Sequence, residues 1–252
     1  MTNPKRLIPY YQLARQWRDL SDWWPGETPW DVAVSAVLTQ NTQWSRAFRA
    51  LQDLRQAGLD TPDAVARAQR SVLERLVRPA GSFRRKAQTI QALARFVVTE
   101  CGGHPRRLST WPLDRARSAL LAIHGIGPET ADAILLYACG VPVAVVDAYT
   151  VRILQRHGLL PAGRWRYEDV QHQMETWFSG DAEAWKELHA QMVTVGRTFC
   201  KARGPLCMAC PWRPLLPEGR PDDGVSGPRD RVLGLREGIS QSRPVELGRP
   251  VQ

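Results

Sequence analysis

The chain has 252 residues, with 43% hydrophobic residues, 23% charged residues and a formal net charge of +9. No run approaches the ~18 consecutive apolar residues of a membrane span, and residues 1–7 lack the apolar core of a secretory signal. We therefore expect a cytoplasmic protein without a membrane anchor. The positive charge favours a polyanionic partner such as nucleic acid, although a generic basic protein has the same charge.

Hydrophobic periodicity predicts helices along the chain and no convincing strand, so the predicted fold class is all-α. Thr61 is a predicted N-cap, because its hydroxyl can accept a free N–H of the helix that follows. Another helix is expected to begin at Pro128. The remaining predicted helices cover residues 7–20, 29–40, 43–56, 71–77, 82–99, 113–122, 148–157, 167–178 and 182–199.

Two adjacent tryptophans interrupt the helices near the N-terminus. Trp23 and Trp24 precede Pro25, and in an extended segment neighbouring side chains point to opposite sides. The segment is either a loop fastened to the domain by its aromatic rings or a wall of a pocket, and the local sequence favours the loop. Further on, an apolar helix ends in a polar cluster that includes Gln40 and Asn41.

A glycine hairpin joins two predicted helices in the middle of the chain. Gly125 and Gly127 flank Ile126, which lets the backbone turn sharply and approach a partner closely. Pro128 then occupies a first helical position, where its missing N–H costs nothing. The free N–H groups of such a helix start favour a phosphate. Asp147 follows in an apolar segment, where a lone carboxylate is either a helix N-cap or a catalytic group.

The five cysteines form two groups. Cys101 and Cys139 lie alone in helical patterns, whereas Cys200, Cys207 and Cys210 lie close together. In a chain without a leader, this distribution favours a metal site plus buried thiols over disulfides.

The order of these motifs resembles the endonuclease III, or HhH-GPD, superfamily of DNA glycosylases, over about residues 7–210. The resemblance rests on the hairpin, on Gly140-Val141-Pro142, on Val146-Asp147 and on the cysteine cluster. It implies two helical subdomains with the active-site cleft between them. These are a six-helix domain at 27–141 with the hairpin, and a second domain at 1–26 and 142–216 with the cysteine loop. From its composition, rich in Pro, Gly and Arg without lasting periodicity, the tail at 217–252 is expected to be disordered.

Within that superfamily, the chain is most similar to the 3-methyladenine DNA glycosylases of the endonuclease III class. The matching segments are residues 23–25, 38–44, 78–87 and 127–135. The resemblance implies that Trp24 and Trp44 stack on the alkylated base, while Trp23 and Pro25 shape the pocket. This reverses the interpretation that the local sequence gives for the tryptophans.

The family also implies the chemistry. Its lyases carry a nucleophilic lysine two residues after the second hairpin glycine, where this chain has Glu129. A carboxylate cannot form a Schiff base, so base excision by water without strand cleavage is expected. Asp147 would stabilise the oxocarbenium-like sugar or activate water, as carboxylates do in glycoside hydrolysis, and it can cap a helix as well. Glu129 is placed at the active site without a resolved role.

The expected partner is double-stranded DNA containing damaged bases, bound by a monomer in the cytoplasm near the nucleoid. Gln40 is the candidate wedge that fills the gap left by a flipped base, and the alternative is an ordinary residue at a helix end. The neighbouring Asn41 is also a predicted DNA contact. The remaining predicted DNA contacts are Lys86, His124, Gly125, Gly127 and Thr130.

The cysteine cluster has the spacing Cys200-x6-Cys207-x2-Cys210, which matches the first three ligands of the endonuclease III [4Fe–4S] loop. The fourth position is Leu216. An iron–sulfur cluster with a non-cysteine fourth ligand, or a [3Fe–4S] form, is the first interpretation. Zinc and a relic loop without metal are the alternatives.

The sequence thus predicts a monofunctional DNA glycosylase for alkylated purines such as 3-methyladenine. The alternatives are an endonuclease III-like glycosylase and lyase for oxidised pyrimidines, and a non-catalytic protein that binds DNA damage.

Overall fold

The computed structural model describes residues 5–17, 20, 23–24 and 26–217. Over these residues the regular elements are helices and no β-strand is present, which confirms the all-α prediction. Pro25 and almost all of the predicted tail lie outside the described residues.

The described part of the chain forms eleven α-helices. They are α1 (Ile8–Trp17), α2 (Pro29–Leu38), α3 (Trp44–Gln56), α4 (Pro62–Arg67), α5 (Arg70–Leu76), α6 (Phe83–Cys101), α7 (Leu113–Leu121), α8 (Pro128–Ala133), α9 (Ala148–Arg156), α10 (Tyr167–Trp177) and α11 (Ala182–Thr198). Short 3₁₀ turns lie at Arg78–Ala80, Pro105–Thr110, Cys207–Ala209 and Arg213–Leu215. None of the helices among these residues is long and apolar enough to cross a membrane.

Helix α2 lies at the centre of the fold. Nearly all of its side chains are buried, and it packs against α3, α6 and α8. A capping box fixes its start, because the Thr28 hydroxyl accepts from Asp31 N at 3.1 Å while the Asp31 carboxylate accepts from Thr28 N at 2.9 Å. The predicted cap at Thr61 is confirmed as well, since its hydroxyl accepts from Ala64 N at 3.2 Å.

A π-helical segment, Ile134–Ala138, continues α8 after the hairpin. Such segments widen one turn of a helix and are frequent at functional sites. This one places Tyr137 toward α11 while its apolar neighbours pack on α2. Periodicity predicts the helix here but not its wider turn.

The N-terminal and C-terminal parts of the described chain pack together. Helix α11 lies against α9 and α1, and the fully buried Trp212 donates to Tyr10 O at 2.8 Å. Helix α1 spans Ile8–Trp17, and Leu20, the last residue of the predicted helix, is not helical. The cysteine loop, which we define as residues 199–216, is thereby held on the same side of the molecule as α1, α9 and α11.

Candidate active site

Asp147 begins α9, and its two carboxylate oxygens face different groups. Oδ1 accepts from Thr150 N at 2.7 Å and from Thr150 Oγ1 at 2.8 Å, so it caps the helix. Oδ2 lies 3.8 Å from Nε2 of His189. The residue is 8% exposed. The capping bonds hold the carboxylate in place while leaving its second oxygen directed at the site, so the capping role and a catalytic role are compatible.

Four aromatic side chains, which we call the aromatic cluster, pack beside this carboxylate. Trp24 lies at the centre, with ring centroids 4.5 Å from Tyr137, 5.1 Å from Trp44 and 5.8 Å from Trp23. Its indole N–H donates to Ser35 Oγ at 2.8 Å, which fixes the plane of the ring against α2. The adjacent tryptophans therefore belong to one packed cluster. This packing is compatible with both interpretations, the wall of a pocket and the loop fastened to the domain by its aromatic rings.

Tyr137 connects the aromatic cluster to Asp147 through a histidine. The Tyr137 hydroxyl lies 2.8 Å from Nδ1 of His189 and donates to Lys186 O at 3.0 Å. The Trp23 ring also packs edge-on against the His189 imidazole, at 6.0 Å between centroids. Sequence reasoning missed both residues. The only available signal was a phenol and an imidazole within otherwise apolar helical faces, and such residues are often ordinary core residues.

Glu129 lies in the first turn of α8, close enough to Asp147 to feel its charge. Burial, and then the negative charge of Asp147, raise the pKa of Glu129 to about 8. At neutral pH the side chain is therefore mostly a neutral carboxylic acid. A buried carboxyl group with a raised pKa beside a second carboxylate is a common arrangement in acid–base active sites.

The hairpin has the predicted geometry at one of its two glycines. Gly125 has φ of 92°, and a Cβ there would collide with the Thr89 side chain, which itself donates to His124 O at 3.0 Å. Gly127 has an ordinary extended φ of −100° and faces open space. Only Gly125 is therefore required for the turn, and Gly127 leaves room for close approach to the start of α8.

Gln40 contacts the hairpin rather than projecting freely. Its amide donates to Gly125 O and to Thr130 Oγ1, each at 2.9 Å. Thr130 is only 7% exposed, so its hydroxyl is engaged inside the protein. The exposed residue at this tip is Asn41, which has a left-handed φ of 50°. Insertion of Gln40 into DNA would require both hydrogen bonds to break.

Lys86 does not face solvent, and its prediction as a DNA contact is wrong. The side chain is 1% exposed, and its ammonium donates to Leu38 O at 2.7 Å, Thr42 Oγ1 at 2.6 Å and Ala80 O at 2.8 Å. All three N–H donors are thus used inside the protein. Burial lowers the pKa of Lys86 to about 8. The residue ties the end of α2 to the loop before α6, and the exposed cations of that helix start are Arg84 and Arg85.

The cysteine loop surrounds a separate small cavity of about 20 Å³. Its lining includes Cys200, Cys207 and Cys210, and Leu216 lies in the same wall. Arg156 donates to Cys200 Sγ at 3.2 Å and to Lys201 O at 2.6 Å, which fixes the loop to α9. Among the described residues, no three His, Cys, Asp or Glu side chains are grouped closely enough to hold a single metal ion.

Comparison with known proteins identifies the family. The pattern of the HhH-GPD superfamily of base excision DNA repair proteins matches residues 34–179, more than half of the chain. The chain belongs to the HhH-GPD superfamily. It is a DNA repair glycosylase of the endonuclease III type within that superfamily. The matched span includes the hairpin, Glu129 and Asp147, whereas Trp23, Trp24 and the cysteine loop lie outside it.

Individual relatives agree with this assignment. A protein of Methanocaldococcus jannaschii, provisionally named a DNA repair glycosylase, is 35% identical over 203 residues, which are 80% of this chain and 91% of the relative. The structure of H. pylori 3-methyladenine DNA glycosylase (MagIII) bound to 1,N6-ethenoadenine is 25% identical with a TM-score of 0.65, over 75% of this chain and 95% of that one. A trapped covalent endonuclease III–DNA intermediate is 25% identical with a TM-score of 0.69, over 87% of this chain and 98% of that one.

In this HhH-GPD glycosylase, the structure brings together most of the residues predicted for the base pocket and the chemistry. Trp23, Trp24 and Trp44 pack as one group, and Asp147 and Glu129 lie near each other. Gln40 lies beside the hairpin, and the cysteine loop forms its own cavity. Pro25, the remaining predicted pocket residue, lies outside the described part of the chain.

Proposed function

We propose that this HhH-GPD protein is a monofunctional DNA glycosylase that hydrolyses the N-glycosidic bond of alkylated purines such as 3-methyladenine. The observation that carries the proposal is the aromatic cluster beside Asp147, with Glu129 where a lyase needs an amine. The proposed substrate is double-stranded DNA that contains such bases, and the proposed acting form is a monomer.

The aromatic cluster suits a cationic base. An adenine alkylated at N3 carries a positive charge, and an indole ring attracts a cation by about 0.5–2 kcal/mol. A glycosylase must first turn the nucleotide out of the helix, which costs a few kcal/mol, and stacking on aromatic rings offsets part of that cost. Because Trp23, Trp24 and Trp44 already touch one another, a flipped base would enter by parting these rings, with Trp24 and Trp44 as the stacking pair.

Little acid catalysis is needed for such a leaving group, because alkylation already weakens the glycosidic bond. The electron pair of the broken bond neutralises the charge of the departing base. The remaining task is to stabilise the oxocarbenium-like sugar and to direct water to it, and a carboxylate does both in glycoside hydrolysis. Asp147 has the geometry for this role, since Oδ1 is held by Thr150 and Oδ2 faces the site.

The absence of lyase chemistry is supported by the side chains near the site. Glu129 has no amine, and its raised pKa keeps it mostly neutral beside the Asp147 charge. Lys86 has a lowered pKa of about 8, but it is buried and engaged by three oxygen atoms. Neither residue is therefore suited to attack the sugar.

The proposed DNA-binding face contains the hairpin, the exposed Asn41 and the arginines that begin α6. The hairpin would hold a phosphate through backbone N–H groups without reading sequence. The proposed cleft lies between residues 27–141 and the remainder of the folded chain. In support, Trp44 and Glu129 come from the first part, whereas Trp23 and Asp147 come from the second.

We further propose that the cysteine loop holds an iron–sulfur cluster through Cys200, Cys207 and Cys210. A zinc ion needs its ligands around one centre, whereas the thiolates of a [4Fe–4S] cluster each bind a different iron. In support of a cluster, Cys200, Cys207 and Cys210 line one cavity, and their spacing matches the first three ligands of the endonuclease III loop. Leu216 offers no ligand atom at the fourth corner. The group would stabilise the loop and take no part in base excision.

The deciding experiment is release of free base from methylated duplex DNA, followed by chromatography. We expect the wild type to release 3-methyladenine and Asp147→Asn to lose at least about 10²-fold in rate, because a positioned carboxylate contributes roughly 10²–10⁴-fold. Circular dichroism and DNA-binding measurements on the variant show that fold and binding are retained.

The two alternative functions predict different results. Efficient covalent trapping by borohydride on abasic DNA would show lyase activity and overturn the Glu129 argument. Tight binding of methylated DNA by the wild type without any base release would instead favour a damage-binding protein.

A further inference from the structure

His189 is a buried titratable group that the proposed chemistry does not use. It lies on α11, is 6% exposed and stands between Asp147 and the aromatic cluster. Its two ring nitrogens face different partners, with Nδ1 at 2.8 Å from the Tyr137 hydroxyl and Nε2 at 3.8 Å from Asp147 Oδ2. A histidine in this position can exchange a proton with the Asp147 carboxylate once the two side chains approach each other.

The hydrogen bonds around Tyr137 favour one tautomer of the imidazole. The phenol has a single proton, and it donates that proton to Lys186 O at 3.0 Å, which can only accept. The short contact with Nδ1 is then satisfied when Nδ1 carries a hydrogen and donates it to the phenol oxygen. In a neutral imidazole with that tautomer, Nε2 has a free electron pair directed at Asp147.

We propose that His189 is a positioning residue that accepts, through Nε2, the proton which Asp147 removes from the attacking water. This inference rests on the proposed glycosylase function. The water oxygen forms a bond to C1′ of the sugar, and the C1′–N bond breaks with its electron pair leaving on the base. One water proton passes to Asp147 Oδ2 and then to His189 Nε2, and it returns to solvent before the next turnover. Shortening the 3.8 Å separation by about 1 Å brings both atoms into hydrogen-bond distance.

The surroundings of His189 suit a neutral imidazole that gains charge only after the base has left. Burial lowers the pKa of His189, and the Asp147 charge opposes that effect. The other groups that face this region are the Tyr137 phenol, the Trp23 ring, Glu129 beside Asp147, and Glu183, which is paired with Lys186 at 2.7 Å. An imidazolium formed earlier would repel a cationic base stacked on the adjacent tryptophan and would pair with the carboxylate that must take the proton.

The test compares His189→Gln with His172→Gln, a change at an exposed histidine on α10, in single-turnover excision of 3-methyladenine over a range of pH. We expect His189→Gln to lose about ten- to hundred-fold in rate with DNA affinity nearly unchanged. The wild-type rate should fall at acidic pH as His189 becomes protonated, and this acidic limb should be absent in His189→Gln. His172→Gln should match the wild type.

A second variant keeps the proposal testable if glutamine disturbs the fold. His189→Ala should be slow and should recover activity on addition of imidazole, because the small base can occupy the vacated space and accept the proton. A wild-type rate in His189→Gln, or an equal loss at every pH without imidazole rescue, would overturn the proposal. If the wild type itself released no base, the glycosylase proposal would fail instead, so the two failures are distinguishable.

Discussion

The aromatic cluster and the cysteine loop are two candidate sites that differ in how their side chains are packed. In the aromatic cluster, every ring is held by other parts of the same chain, as Trp24 is by Ser35 and Tyr137 by Lys186. In the cysteine loop, Cys200 is held by Arg156, but the three thiols line a cavity. The position of the fourth ligand is occupied by Leu216, which lines the same cavity. The rings of the aromatic cluster thus fill their site, whereas the thiols of the cysteine loop surround a cavity.

This difference separates a site that awaits a transient ligand from one that would hold a resident group. A pocket for a flipped base must remain stable when empty, so its rings pack on one another between turnovers. A cluster site needs no such self-packing, because the resident group fills the cavity and its thiolate bonds order the loop. The two regions should therefore respond differently to substitution, the first in activity and the second in metal content.

Between these two regions, the largest expected effect comes from opening the aromatic cluster. Trp24→Ala removes the central ring, which contacts Trp23, Trp44 and Tyr137. Since stacking contributes about 1–3 kcal/mol per base, we expect kcat/KM for 3-methyladenine release to fall about 100-fold. Steady-state base release measures this effect.

Trp111→Ala, at a tryptophan that packs on Phe96 away from the site, is the matched control and should retain the wild-type rate. Equal losses in both variants would show that the ring contributes only to stability.

Much of this site was predictable from sequence, because it depends on short motifs with fixed local geometry. The Asp147 cap and the Gly125 turn each follow from a residue type and its neighbours. The all-α class follows from periodicity alone. The adjacent tryptophans were assigned to a pocket only by resemblance, since their local sequence favours a loop.

The remainder depends on contacts between distant residues. Lys86 follows two arginines, and nothing in that run shows that its ammonium turns inward to Leu38 O, 48 positions earlier. Tyr137 meets His189 across 52 positions, after a π-helical turn that periodicity does not indicate. Such pairs become visible only when the helices are packed.

The next expected effect is on the free energy of unfolding. It lies at Glu129, the carboxyl group close to Asp147, whose burial lowers the stability of the folded protein. Its pKa of about 8 in the folded protein exceeds the ordinary value of 4.5, so folding favours the protonated acid. The contribution of the Glu129 proton to the free energy of unfolding is complete below pH ~4.5 and is lost as the pH rises toward 8. Glu129→Gln removes the titration, and we expect it to be more stable than the wild type by roughly 4 kcal/mol at pH 8.5 and by almost nothing at pH 4.5.

Urea denaturation at both pH values measures this difference. Glu100→Gln, at an exposed acid near the end of α6, is the control and should behave like the wild type. A constant difference between Glu129→Gln and the wild type at the two pH values would contradict the assigned protonation state.

The smallest expected change is in the cysteine loop, where Leu216→Cys supplies the missing fourth thiol. After anaerobic reconstitution with iron and sulfide, we expect the wild type to hold a cluster with one iron lacking a thiolate, which air converts to a [3Fe–4S] form with a sharp electron paramagnetic resonance signal. Leu216→Cys should retain about four iron atoms and resist that conversion.

Leu215→Cys is the matched control, because Leu216 lines the cavity and Leu215 is not among its lining residues. Glycosylase rates should stay the same in all three proteins, since the loop takes no part in excision. Zinc in place of iron, or no bound metal after reconstitution, would contradict the proposed cluster. Base release would be unaffected by either result, because the aromatic cluster is held by contacts within the chain that do not involve the cysteine loop.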